Sequence, residues 1–318
     1  MTIYKEESLN LKTISNNEII QTYLHHYRHS KESVSTRKSN LTYFFNENHF
    51  NYKNPIFEIT KRTLYNYFDY LNNLKHINLT TKKMKWTILN SFLRFCMEYY
   101  DDFLTVIPQK TIQWKTNHKI ANSNTHIIAT KKEIENILNY YKNIKHNNKY
   151  YLIYRILTET GMRKGELINI DANKINTKKR YIDTFGKTGR KIYYISKELT
   201  NLLKNYIENE RKPNFINKKS EKKALFITKH NKRYGTRQFN LELKKCLNYL
   251  HINKNITCHT FRKSINTYRK LMNCSLEDRK ILLNHKTSDV NLKSYIVLDY
   301  IQFLKLYDKW DPYKELNL

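Results

Sequence analysis

Glycine occurs only five times in 318 residues, and that scarcity limits what the chain can fold into. Glycine is the residue that enters left-handed or crowded backbone conformations without strain. A chain this poor in it keeps it where the backbone needs it. Four of the five, Gly161, Gly165, Gly186 and Gly189, fall in two short segments, Thr160–Leu167 and Phe185–Arg190, and each segment also carries basic residues. Those are the places to look for chemistry. The glycine-free stretches are read for regular elements.

The first hundred residues read as helices. Leu64, Tyr67, Phe68, Leu71 and Leu74 recur at helical spacing behind a Thr60 cap, and Met84, Ile88, Phe92, Phe95 and Tyr99 repeat the pattern. Leu41, Phe44 and Phe45 mark another helix, and Ile19, Ile20, Tyr23 and Leu24 an earlier one. Four such helices make a small bundle. The periodicity is lost around Pro108, which predicts a linker over 106–128 between a domain of residues 1–105 and one of residues 129–318. Thr130 and Glu133 then fit a capping box ahead of Ile134, Ile137, Leu138 and Tyr141. Arg180–Phe185 and Lys191–Ser196, rich in Ile and Tyr, flank Gly186-Lys187-Thr188-Gly189-Arg190 and read as a β-hairpin. Helical patterns return at Leu199–Ile207, at Phe239–Leu250, from Thr260 to Met272, and from Ser275. The fold class expected is mainly α with a small antiparallel β-sheet.

Charge narrows the partner. There are 58 Lys and Arg against 28 Asp and Glu, a net charge of +30. Such an excess attracts polyanions, nucleic acid first among them. No segment is apolar for long enough to span a membrane, and Met1–Glu7 does not read as the start of a signal peptide. Cys96, Cys246, Cys258 and Cys274 form no C-x-x-C pair, so neither a zinc site nor a redox motif is suggested, and a reduced, cytoplasmic compartment fits. Neither a cofactor nor a small-molecule substrate is expected.

Cutting a phosphodiester without a metal needs four groups. A nucleophile must attack phosphorus, cations must hold the non-bridging oxygens as charge builds, an acid must protonate the leaving oxygen, and something must orient or deprotonate the nucleophile. Arginine suits the clamp because its fork binds phosphate in two places and keeps its charge. In Thr160-Gly161-Met162-Arg163-Lys164-Gly165-Glu166-Leu167, Gly161 can end one helix in a left-handed turn so that Arg163 opens the next. There the helix N-terminus would add its own attraction for phosphate, and Glu166, one turn on, would brace Arg163. In His259-Thr260-Phe261-Arg262 the spacing puts both basic side chains on one helical face. A second match at His25 and Arg28 shows how weak that spacing is alone, and Phe261 and Ile265 read as core. Leu283-Asn284-His285 is followed by Ser294-Tyr295-Ile296. A single histidine is more often structural, and one of 26 tyrosines carries little weight by itself.

The order of these groups is specific where no single one is. The set Arg163, Lys187 in a G-K turn of a hairpin, His259/Arg262, His285 and Tyr295 closely resembles the tyrosine recombinases, the phage integrase and Xer family. The family's T-G-x-R-x-x-E-L corner is reproduced in full, and the likeness covers essentially the whole chain. It implies an N-terminal helical core-binding (SAM-like) domain, a C-terminal catalytic domain, and a C-shaped clamp on double-stranded DNA. It also implies a homo-tetramer acting on two DNA sites, with the stretch after Tyr300 docking on a neighbouring subunit and no arm-binding domain before the bundle. In the roles it implies, Tyr295 attacks and holds the 3′-phosphate, Arg163 and Arg262 clamp that phosphate, and Lys187 is the acid for the leaving 5′-oxygen. His259 and His285 hydrogen-bond the phosphate or pass protons to and from Tyr295. No metal and no ATP take part.

Three departures from the family pattern stand out. Phe261 and Lys263 replace a Leu and a His around Arg262, Asn284 replaces the Gly before His285, and Tyr295 lies one residue further from His285 than the pattern has it. Tyr300 is the other tyrosine that follows His285. The alternatives are a DNA-binding protein that has kept the fold and lost catalysis, and a type IB topoisomerase-like enzyme that nicks and closes without pairing two sites.

Overall fold

The computed structural model describes residues 14–27, 31–100, 103–105, 107, 114, 127–212, 221–284 and 299–315. The chain divides into two compact units, Met1–Ala121 and Asn122–Leu318.

The first unit holds four helices among its described residues: α1 (Asn16–His26), α2 (Lys31–Phe45), α3 (Lys61–Asn73) and α4 (Leu79–Tyr99). Side chains that accept from the otherwise unpaired N–H groups of the first turn begin three of them. Ser15 and Glu18 form a capping box on α1, and Thr60 and Asn78 cap α3 and α4. Leu64, Tyr67, Phe68 and Leu71 are buried as their spacing predicts. On α4 the apolar stripe is partly as expected: Ile88 and Phe92 are buried, but Met84 and Tyr99 are exposed, and Lys82, Lys85, Leu89 and Cys96 also face inward. The two buried lysines explain the shift. Lys82 donates to the Asn72 carbonyl (2.9 Å) and the Lys85 ammonium lies 3.3 Å from the centroid of the Tyr43 ring. Each long stem packs as an apolar chain while its charge is satisfied at the end.

The second unit is built around α6 (Asn148–Thr160), whose last ten residues, Tyr151 to Thr160, are all buried. A helix enclosed on every side has to be core. Before it runs α5 (Lys131–Asn139), opened by the Thr130–Glu133 capping box. After it come the short α7 (Lys164–Ile168) and a three-stranded antiparallel sheet of β1 (Ile175–Asn176), β2 (Tyr181–Gly186) and β3 (Gly189–Tyr194), in that spatial order. Gly186 pairs with Gly189, so Lys187 and Thr188 make a two-residue hairpin turn. Then follow α8 (Lys197–Asn205), α9 (Gln238–Tyr249), α10 (Cys258–Leu271), α11 (Leu276–Leu282) and α12 (Tyr300–Lys309). Phe261 and Ile265 of α10 are fully buried, and the Phe261 ring stacks on Tyr154 of α6 at 6.0 Å.

A buried carboxylate ties the ends of this unit together. Glu159 pairs with Arg155 at 2.7 Å and accepts from the backbone N–H and hydroxyl of Ser196 and from the Tyr307 hydroxyl (2.9 Å). Expectation had the stretch after Tyr300 docking on a neighbouring subunit. In the single chain the described part of that stretch, α12, packs on its own unit: Phe303 stacks on Tyr194 of β3, and Tyr307 packs with Leu282 of α11. Arg180 grips Asp308 through two hydrogen bonds, and the Trp310 indole donates to Asp278.

Glycine is used differently from what its scarcity suggests. Among the described residues only Gly161 and Gly189 have positive φ, whereas seven non-glycine residues do, four of them asparagines: Asn51, Asn231, Asn273 and Asn284. Asparagine tolerates the left-handed region better than most residues. Gly161 is needed twice over. Its φ is +60°, and a Cβ there would come within 2.7 Å of Ile265 and 2.9 Å of Leu283. We predict that Gly161→Ala lowers stability by roughly 2 kcal/mol or more, the left-handed strain and the overpacking adding. Gly165→Ala, in a helix with nothing within 4 Å of the new methyl, should raise it by roughly 0.4–1 kcal/mol. Urea unfolding of the two variants checks this, and equal effects would refute the packing account.

Candidate phosphate-handling site

The left-handed turn at Gly161 ends α6 and delivers Arg163 to the N-cap of α7. Two hydrogen bonds fix the corner beyond the turn itself. Thr160 donates to Ile156 and accepts from the Met162 N–H. Expectation had a helix N-terminus adding to the pull on phosphate here. With five residues α7 carries little dipole, and Glu166 already takes its first donor: one carboxylate oxygen accepts from the Arg163 backbone N–H at 2.8 Å. The positive charge at this corner therefore belongs to the Arg163 guanidinium, which is about half exposed and sits 3.1 Å from the other oxygen of Glu166.

Glu166 is 1% exposed and joins three elements. Beyond Arg163, it accepts from the Tyr193 hydroxyl of β3 at 2.6 Å, and its backbone carbonyl accepts from Thr184 of β2 at 2.7 Å. The hairpin closes on it as well. A Cβ at Gly186 would lie 2.7 Å from a Glu166 carboxylate oxygen, so glycine there serves close approach rather than a positive φ. Burial first, and the Glu166 carboxylate second, push the Tyr193 phenol well above its ordinary value, which keeps it a donor.

Arg262 reaches the same corner from α10. It is 5% exposed and spends two donors on backbone carbonyls, Nη1 to Gly161 and Nη2 to Leu283, each at 2.7 Å. Desolvation lowers its pKa, and the positive charge of Arg163 acts in the same direction while Tyr193 beside it opposes. His259, one turn before it, is exposed, and its pKa is lowered by partial desolvation and then by Lys263, Arg262 and Arg163. Arg163, Arg262 and His259 thus stand close enough to repel one another, and an anion among them would turn that repulsion into attraction.

The hairpin tip adds Lys187, which is exposed. The other two cations of the hairpin are engaged: Arg190 donates to Asp183 through Nε and Nη2, and Lys191, buried, donates to the Asn284 carbonyl at 3.1 Å. His285 and Tyr295 lie outside the described residues. Tyr300 is described. It opens α12, capped by Asp299, and the Lys179 ammonium lies 4.5 Å from its ring centroid. Two side chains of the site, Tyr193 and Asn284, are ones that sequence reasoning assigned no part in it. Tyr193 had no signal to distinguish it from the other tyrosines. Asn284 could have been found, because the family places a glycine there and its φ is +50°. Among the described residues no group of three or more His, Cys, Asp or Glu is arranged to hold a metal ion.

The Phage integrase family profile matches residues 128–300, more than half of the chain. The chain belongs to the phage integrase family. Within that family it is 29% identical over 159 residues to the tyrosine recombinase XerD of Staphylococcus saprophyticus, a match covering 49% of this chain and 52% of the relative. To XerD of Oceanobacillus iheyensis it is 25% identical over 187 residues, 58% and 61% of the two chains. The chain spans about half the length of the curated relatives it matches. Solved phage-integrase-type structures share its fold. The Tn1549 transposon integrase in complex with a circular intermediate DNA aligns at a TM-score of 0.65 and 13% identity, covering 90% of this chain and 96% of that one. The lambda integrase dimer bound to a core site aligns at 0.61 and 14%, covering 86% and 96%.

The ring of His259 offers a direct reading of the cluster. We predict that it titrates below the ordinary value of about 6.5 in the free protein, and that inorganic phosphate raises the midpoint, since a bound anion favours the protonated form. Imidazole NMR with and without phosphate measures both, and a midpoint that phosphate leaves unmoved would remove His259 from the site.

Proposed function

We propose that the chain is a site-specific recombinase that cleaves and rejoins double-stranded DNA through a covalent 3′-phosphotyrosyl bond, using neither metal nor ATP. The observation that carries this reading is the convergence of Arg163, Arg262 and His259 on the corner at Gly161, inside the family domain. In the proposed chemistry the Tyr295 oxygen attacks phosphorus while Arg163 and Arg262 hold the non-bridging oxygens. The bond to the 5′-oxygen breaks as Lys187 gives that oxygen a proton. His259 and His285 take up the Tyr295 proton or hydrogen-bond the phosphate. The new bond keeps the energy of the broken one, so the 5′-hydroxyl can reverse the step without an outside energy source.

DNA as partner is supported by the net charge of +30 and by a cleft of about 640 Å³ beside α9, lined among others by Lys164, Arg237, Asn240, Lys244 and Lys254. Lys164 directly follows Arg163, so a strand held at the arginines would continue past these side chains. Residues 1–105 act as the core-binding domain, 106–128 as the linker and 129–318 as the catalytic domain. The working form is a homo-tetramer on two DNA sites, in the cytoplasm where the DNA is. None of the described helices is long and apolar enough to cross a membrane.

The position of Tyr300 favours Tyr295 as nucleophile. Tyr300 lies under Lys179, just before β2 begins, whereas Glu166, which pairs with Arg163, meets the far end of that strand at Gly186. Six strand residues separate the two ends, about 17 Å at ~3.4 Å per residue, which is too far for a phenol at Tyr300 to reach a phosphate held by the arginines.

Two experiments test the proposal. On a nicked suicide substrate we expect a covalent complex that mass spectrometry maps to Tyr295, and Tyr295→Phe should keep DNA binding and lose the adduct. An adduct on Tyr300 would show that the nucleophile is misassigned, and binding with no adduct at all would make the chain a DNA-binding protein on this fold. Lys187→Ala should slow cleavage of ordinary DNA by about 10²-fold or more. A substrate with sulfur in place of the 5′-bridging oxygen has a leaving group that needs no proton and should restore most of the rate. Lack of rescue in a folded variant would move the acid role away from Lys187.

A further inference from the structure

We propose that Tyr193 is a positioning residue, whose hydroxyl stands between Glu166 and Arg262 and keeps the two clamp arginines in one arrangement. This rests on the reading that Arg163 and Arg262 hold the scissile phosphate. The two guanidinium groups repel each other at this partly dry corner. Something has to hold them where one phosphate can meet both. Each is tied first to its own surroundings: Arg163 to Glu166 at 3.1 Å, and Arg262 to the carbonyls of Gly161 and Leu283, each at 2.7 Å. Tyr193 joins the two sets.

Its ring is a fixed post. Tyr193 pairs with Ile182 in the sheet, is 1% exposed, and belongs to the same core as Met162, Leu167 and Ile265. The hydroxyl at its end donates at 2.6 Å to one carboxylate oxygen of Glu166, the oxygen that also accepts from the Arg163 backbone N–H at 2.8 Å. The other carboxylate oxygen meets the Arg163 guanidinium. A phenol that donates its proton still has lone pairs with which to accept, and Arg262 is the cation beside this one. Burial first and the Glu166 carboxylate next raise the Tyr193 pKa, whereas Arg262 opposes them as a nearby charge and as a hydrogen-bond partner. The links close a ring. It runs from Arg163 to Glu166, Tyr193 and Arg262, and then through the Gly161 carbonyl back along the turn to Arg163. A carboxylate in place of Tyr193 could bridge the same gap, but it would neutralise Arg262. A phenol that keeps its proton bridges it without negative charge, so the attraction of the pair for phosphate is preserved.

The test is single-turnover cleavage by the full chain on two suicide substrates, one with an ordinary scissile phosphate and one with a methylphosphonate in its place. The methylphosphonate lacks one non-bridging oxygen and its charge, so it demands less of the second arginine. Tyr193→Phe keeps the ring and removes the hydroxyl. On the ordinary phosphate we expect it to slow cleavage about tenfold or more, with DNA affinity unchanged. On the methylphosphonate it should slow cleavage less than about threefold, relative to the unaltered chain on that substrate. Equal slowing on both would make the hydroxyl a donor to the fold alone and overturn the proposal, as would a Tyr193→Phe enzyme of normal rate. An Arg262→Ala enzyme of normal rate on the ordinary phosphate, or an unaltered chain that cleaves neither substrate, would instead overturn the reading of the clamp. Should Tyr193→Phe fail to fold, Glu166→Gln takes its place with the same expected pattern, since it weakens the same link from the other end.

Discussion

A carboxylate removed from water stays charged only when donors replace the water. Glu166 has them from the Arg163 backbone, from the Arg163 guanidinium and from the Tyr193 hydroxyl. The geometry of the site follows from that requirement. The α6–α7 corner and strand β3 are drawn to one point because the buried charge takes its donors from both, and the hairpin tip follows β3 there. The arginine is also aimed from below, so that half of its guanidinium remains available above. Without a side chain at Gly186 the hairpin comes close enough to complete the arrangement.

Arg262 is held by a different logic. Its two bonds go to backbone carbonyls, neutral groups that orient the guanidinium without neutralising it. Among the described residues Arg163 has a counter-ion in Glu166 and Arg262 forms no ion pair, so these groups keep a net positive charge in a partly dry place. Desolvation and mutual repulsion make the unliganded cluster unfavourable. A phosphate held there, as proposed, would relieve both, and more so as charge accumulated on its oxygens, which is how such a site would prefer a transition state to a ground state.

Much of this was legible in the chain before any coordinates. The Thr60 and Thr130 caps, the helices around Leu64 and Ile134, and the hairpin at Gly186 are local, and their signals are local too. The left-handed end of α6 at Gly161 and the bracing of Arg163 by Glu166 followed from spacing within one corner. What spacing could not give was contact across the fold. Tyr193 and Glu166 are 27 positions apart, and Lys191 and Asn284 are 93 apart. Nothing in either pair's own neighbourhood points to the other. The buried face of α4 extends over Lys82 and Lys85, whose charges end on the Asn72 carbonyl and the Tyr43 ring, contacts that lie outside the helix and leave no trace in its apolar spacing. The emphasis on glycine was incomplete for another reason: in a chain rich in asparagine, left-handed turns at Asn51, Asn231 and Asn273 need no glycine.

The junction at Glu159 bears on the order in which the second unit assembles. Arg155, one turn away on the same helix, can meet Glu159 as soon as α6 forms. Ser196 reaches it across 37 residues, and Tyr307 only across 148. Each longer closure carries a larger entropic penalty, about 0.6 kcal/mol per doubling of the loop, which favours the shorter ones. Loop-closure entropy alone thus favours a charge pair formed before the C-terminal helix docks on it. On a chain made from its N-terminus, that pair spends the interval before α12 emerges without its final donor.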